Sequence, residues 1–274
     1  MDYIFDGSYS GYLCCVFGAF ERKEFDSIPT TEKSMAISIF SEKRQVHTEV
    51  KKAMRILVGM EKILGAKETK IFYHNFLSDN QSEWLNGFQL IVELFRRGKL
   101  DIRNYGYPPI LRIHQTVKKI SRERHRMKAF IRFVKSNDNL YTAIVEPDFN
   151  VIHLVVDFFK NRYADQCWLI YDIRRNYGFH YDGKNILEVY NNNKDEVQDP
   201  YQLQVDLDPQ VKDYQQLWKT YIKSTSIESR KNVKTHLRHV PKRYWKYLVE
   251  TQQVPKYNKS QYSENPAHKI ILIP

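Results

Sequence analysis

Tyr12, Leu13, Val16, Phe17 and Phe20 recur at the i, i+3, i+4 and i+7 spacing of one helix face. Ser8 stands before them where an N-cap belongs, so a helix is predicted from Ser8 to about Lys23. Tyr3 to Phe5 reads as a short strand closed by the Asp6-Gly7 turn, and Met35 to Phe40 alternates like a second strand. Two helices follow. One runs over about Val46 to Leu64, with Val50, Met54, Leu57, Val58 and Met60 as the face for burial. The other runs over about Glu83 to Arg97 and ends at Gly98.

Pro108 and Pro109 open the next helix, where a missing N–H costs nothing. Ile110, Ile113, Val117 and Ile120 make its apolar stripe, and Lys118, Arg122 and Arg126 line up four apart on another face. A strand is predicted at about Ala129 to Val134, then a turn at Ser136 to Asn139, then an antiparallel return over Leu140 to Val145. From about Phe149 to Tyr163, Val151, Ile152, Leu154, Val155, Phe158 and Phe159 surround most of a helix, which marks it as buried. Trp168 to Ile173, Tyr177 to Tyr181 and Ile186 to Tyr190 read as strands, the last two joined by the Asp182-Gly183 hairpin signal.

Asn191 to Pro209 is polar and turn-rich, a loop by composition. Helices are predicted at about Gln210 to Lys223, again after Ser229, and from Pro241 to Glu250, with an extended tail beyond. The fold class expected is α+β: an antiparallel β-meander carrying a buried helix, flanked by N-terminal and C-terminal helices. Residues 1–250 are expected to form a single domain, with no Gly- or Pro-rich linker dividing it. Its parts are a helical one to about 105, an α+β core over about 106–190 and a basic helical one over about 210–250; residues 251–274 form the tail.

Composition narrows the class. A chain of 274 residues buries a sizeable core without disulfides or metals. Its three cysteines, Cys14, Cys15 and Cys167, lack any CxxC spacing, which points to a reducing compartment. The opening MDYIFDGSYSG lacks the basic and apolar regions of a secretory signal, and no 18-residue apolar run is present. A cytoplasmic protein that does not enter the membrane is expected.

The net charge of +11 is unevenly placed. Arg112 to Arg132 carries eight Lys/Arg against Glu123, and Trp218 to Tyr247 carries nine against Glu228, so these two stretches hold +7 and +8. The remainder nets −4, because the two together exceed the total by that much. Such segregation favours a polyanionic partner: nucleic acid, an anionic membrane surface or an acidic protein.

The segment Arg230 to Leu248 interleaves cations with aromatics, as a platform for unpaired or flipped bases requires. Arg230, Lys234, His236, Arg238, Lys242, Arg243 and Lys246 would neutralise phosphates, and Tyr244, Trp245 and Tyr247 would stack on bases. Tyr244, Trp245 and Leu248 equally make an inward-packing face, and packing inward is compatible with phosphate binding outward. Lys118, Arg122 and Arg126 form the second basic row, and Arg174 and Arg175 a third candidate pair. Asp172 shares a strand face with Trp168 and Ile170, so it is either ion-paired with Arg174 or Arg175 or a site residue. Asp6 and His180 are the other acid–base candidates.

Metal-ligand spacing and cofactor motifs are missing: His236 and His239 alone do not make a zinc site, and no GxxxxGKS/T, GxGxxG, GxSxG or HExxH occurs. No metal and no cofactor is expected, and Cys14 and Cys15 read as buried, unreactive thiols.

Three blocks resemble a known family: YIFDGSYSGYLCCVF at Tyr3 to Phe17, EPDFNV through RYADQCWLIYDIRRNYG at Glu146 to Gly178, and HVPKRYWKYL at His239 to Leu248. They resemble a bacterial DNA metabolism and repair family built on a domain of unknown function. The resemblance implies a gene neighbour encoding a radical SAM (S-adenosylmethionine) protein similar to DNA-lesion lyases, and in some bacteria a fusion to a uracil-DNA-glycosylase-like domain. No catalytic residues come with it, and this chain has no CxxxCxxC, so radical chemistry would belong to the partner.

Three functions stay open. The first is a DNA-binding accessory to that partner, gripping phosphates through the basic stretches and bases through Tyr244, Trp245 and Tyr177. The second is a glycosylase or nuclease using Asp6, Asp172 or His180, two of which would have to lie within about 6 Å of each other. The third is a protein–protein adaptor that docks on an acidic face of the radical SAM enzyme.

Overall fold

The computed structural model describes residues 1–32, 42–137, 139–190, 211–225, 233–248 and 251. The predicted strand Met35 to Phe40, the loop 191–209, Arg230 and nearly all of the tail lie outside them. The chain forms two compact units, one of residues 1–123 with 148–151, the other of 124–147 with 152–274.

In the first unit, β1 (Asp2–Ile4) is the centre of a three-stranded sheet, with β2 (Ile28–Thr30) and β3 (Lys43–Gln45) on either side and both pairings parallel. Helix α1 (Tyr9–Arg22) begins where Ser8 predicts it, the Ser8 hydroxyl accepting the Gly11 N–H. It is buried on more of its circumference than the spacing indicates: Cys14, Cys15, Gly18 and Ala19 are inside, while Phe17 and Phe20 are half-exposed.

Helix α2 (Val50–Leu64) starts four residues later than predicted, because the Val46 N–H goes to the Ile4 carbonyl and prolongs the β1–β3 pairing. Of the face predicted for burial, Met60 is buried and Leu57 half-buried. Ala53, Ile56 and Met60 are buried, whereas Val50, Met54 and Val58 are exposed. Gly65, at φ 89° and ψ 153°, turns the chain into α3 (Ala66–Phe76), a helix the polar residues of the segment concealed. α4 (Gln81–Arg97) is capped by Asn80 and stops at Gly98, which takes the left-handed conformation. Phe5, Tyr12, Phe76 and Trp84 interlock at the centre, with ring centroids 5.4–6.3 Å apart.

α5 (Pro108–Phe130) begins in the first unit and ends in the second. It outlasts the predicted boundary at Ala129. The Ile131 N–H still bonds back to Met127, and both side chains are buried, so the next strand is only β4 (Val134–Lys135).

The second unit holds the sheet β4-β5-β6-β7-β8, with β5 (Tyr141–Val145), β6 (Trp168–Asp172), β7 (Tyr177–Tyr181) and β8 (Ile186–Tyr190). The β4–β5 and β7–β8 hairpins are as predicted, but the sheet is mixed and not an antiparallel meander, since β5 and β6 run parallel. A parallel pair needs a crossover, and the chain between them supplies one through α6 (Val156–Arg162). The long helix predicted from Phe149 is thereby reduced to a 3-10 turn at Ile152–Leu154 and α6. Its first residues are drawn away by the first unit, where the Asp148 N–H donates to Glu123 and the Asn150 N–H to the Leu77 carbonyl.

α6 covers one sheet face through Phe159, which with Phe133 and Tyr181 surrounds Trp168. α7 (Val211–Thr225) and α8 (Val233–His239) follow. Lys242–Tyr247 forms a 3-10 helix in place of the predicted last α-helix. Among the described residues, no helix is long and apolar enough to cross a membrane.

Candidate nucleic-acid interface

In the first unit, α5 buries Ile110, Ile113, Thr116, Ile120 and Glu123, one residue every three or four. That stripe turns Lys118, Lys119 and Arg122 outward, and all three are exposed. None of the three has a carboxylate partner among the described residues. Arg112 differs, held by Glu83 at 2.9 Å and the Ser82 hydroxyl at 2.8 Å. Lys118 and Arg122 stand about 6 Å apart along the helix axis. Arg126 continues their row by helical spacing and is half-buried.

In the second unit, the end of α5 meets the 3-10 helix. The Phe130 and Tyr244 rings lie 5.0 Å apart, and a shallow hollow opens beside them, lined by Met127, Arg132, Glu146 and Tyr247. Tyr244 is only 2% exposed, so its ring is a packing element and is closed to a base. Arg243 lies over that ring at 4.5 Å and donates to its hydroxyl. Trp245 is half-buried, gives its N–H to the Val240 carbonyl and stacks against His236 at 5.9 Å.

Lys246 reaches the Glu146 carboxylate at 2.5 Å. Partial burial opposes its charge, but the bonds with Glu146 and Tyr247 outweigh that and raise its pKa. Arg238 and Lys242 are exposed, and Lys234 lies on α8. Arg174 is exposed; Tyr177 is buried.

The acid–base candidates do not converge within the second unit. Asp172 is 0% exposed and bonded from every side. Its Oδ1 accepts the N–H groups of Arg174 and Arg175, and its Oδ2 takes the Arg175 guanidinium at 2.7 Å. Arg175 also donates to the Pro147 carbonyl, which ties the ends of β5 and β6 together. Burial raises the Asp172 carboxyl pKa, with Arg175 pulling the other way.

His180 pairs with Leu169 and Asp172 with Tyr177, so the two lie on opposite sheet faces and about 10 Å apart along the strands. In the first unit, Asp6 is exposed and accepts from the Ser8 N–H and hydroxyl and from the Thr48 hydroxyl. Partial burial opposes its ionisation, but these three bonds prevail and hold its pKa below the usual value. Gly11 is required beside it, since a Cβ there would collide with Asp6 Oδ1. Among the described residues, no three His, Cys, Asp or Glu side chains gather as ligands for one metal ion.

Lys119 and Glu146 were not singled out from the sequence as site residues. Lys119 sits in the basic run already recognised; the meeting of Glu146 with Tyr247 carries no local signal, because it spans 101 positions of the chain.

One family model matches the chain: DUF4130, a domain of unknown function, over residues 81–250. The match begins at α4, includes α5, and runs through the 3-10 helix, leaving β1 to α3 outside. No curated protein and no solved structure matches.

Proposed function

Because the chain belongs to the DUF4130 family, a domain of unknown function, we propose a role argued from its own charges: a cytoplasmic DNA-binding accessory in DNA metabolism or repair. It presents DNA to a radical SAM modification or repair enzyme. The observation that carries this reading is the exposed row Lys118, Lys119 and Arg122 on α5, which no carboxylate of the described residues neutralises. A cation with no internal partner contributes little to folding and is free to displace counterions from phosphate. Arg238 and Lys242 add exposed cations in the second unit. The partner rests on the sequence resemblance alone.

The test is binding of the full chain to fluorescent single- and double-stranded DNA across a salt series. Lys118→Glu/Arg122→Glu is the sharper variant, because neither residue holds the fold together; Arg243→Glu/Lys246→Glu also disturbs Tyr244 and Glu146. Binding should weaken steeply with salt, and the α5 variant should lose at least about ten-fold in affinity. If the native chain binds no DNA at low salt, the reading fails.

A further inference from the structure

Helix α2 packs through one face only, with Ala53, Ile56 and Met60 against the rest of the first unit. The adjoining face carries Val50, Met54 and Val58, each four residues from the next and 69%, 49% and 41% exposed. Leu57 widens this stripe, and Glu61 closes its C-terminal end. Along one edge stand Lys51, Arg55 and Lys62, all exposed and, at 100° per residue, within a narrow sector beside the stripe. Lys51 and Lys62 have no carboxylate partner among the described residues, and Arg55 lies 5.1 Å over the Phe17 ring.

We infer that this face of α2 docks an amphipathic helix of another protein, one that sets aliphatic side chains on the Val50–Met54–Val58 stripe and acidic side chains along the Lys51–Arg55–Lys62 edge. Three aliphatic side chains in a row match the i, i+4 ridge of a second helix, and the unbranched Met54 at the centre adapts to the shape it meets. The edge specifies charge. A second copy of this chain paired two-fold and antiparallel would set that cationic edge against itself. A bilayer calls for a broader apolar face, and the flank of α2 adjoining the stripe is already buried. The surface is separate from the α5 row, so this inference does not depend on DNA binding.

The experiment places photoreactive p-benzoylphenylalanine at Met54 in the native host, with the same group at exposed Lys99 as control. The crosslinked peptide should map to a helical, net-acidic segment of another protein. Lys51→Glu/Lys62→Glu should cut the yield by about ten-fold or more, with DNA binding through α5 unchanged. Crosslinks to a second copy, to phospholipid or to a neutral or basic segment overturn the inference. So does a yield no higher than at Lys99, or one that the charge reversal leaves intact. Loss of DNA binding by the native chain would bear on the proposed function and leave this result standing.

Discussion

Asp172 ends β6 and Asp6 lies in the turn between β1 and α1, and burial and hydrogen bonding move their pKa values in opposite directions. The native state holds the Asp172 proton longer than the unfolded chain does, so this group's share of stability declines as pH rises from the usual 3.8 toward the higher native value. Arg175, itself only 11% exposed, opposes that rise and favours the ionised form. Asp172→Ala strands that guanidinium and is expected to cost about 3 kcal/mol, read as a lower urea midpoint. Asp172→Leu/Arg175→Met, which removes both charges, should cost less.

At Asp6 the sign reverses. A lowered native pKa gives stability that is present above 3.8 and is lost as pH falls through the native value. Asp6→Asn should therefore flatten the acid limb of a melting-temperature profile, and an unchanged limb would place the acid sensitivity elsewhere.

Among the elements, the α2–α3 junction depends on one backbone conformation. Gly65 sits at φ 89° and ψ 153°, a region open in practice to glycine alone. Gly65→Ala should destabilise the first unit by about 1–3 kcal/mol in chemical denaturation. Either the turn is strained, or α2 and α3 lose their crossing and Met60, Ile71 and Phe72 their burial. α5 shows the opposite arrangement, a helix whose inward stripe carries the packing and whose outward row is left to solvent. Charge reversal on that row should leave the melting temperature nearly unchanged while DNA affinity falls.

At the scale of the whole molecule, the net +11 is the sum of two basic stretches and a mildly acidic remainder. In the second unit the two stretches meet through Phe130 and Tyr244. Two of the nine C-terminal cations are engaged, Lys246 by Glu146 and Arg243 by Tyr244. The α5 row should dominate the salt dependence. Lys118→Ala/Arg122→Ala should lower the log–log salt slope by about two, one for each phosphate that the variant leaves without its cation. A slope that falls only with the C-terminal variants would move the interface to the second unit.

Features set by neighbours in the chain were legible in the sequence. The Ser8 cap, the Gly98 stop, the Asp182-Gly183 hairpin and the inward stripe of α5 each follow from residues within a few positions of one another, where backbone geometry and helical period decide. The basic runs were legible too, because charge is counted along the chain. Tertiary structure decided whatever depends on a distant partner. Val50, Met54 and Val58 or Ala53, Ile56 and Met60 could each have faced the core, and only α1, α3 and α4 select the second set. Glu123 and the Leu77 carbonyl take N–H groups that a longer helix would have used, so the chain crosses over and β6 joins β5 in parallel. Asp172 was open to both readings until Arg175 and two backbone N–H groups closed around it, since a carboxylate's role is set by the charges and donors that folding brings to it.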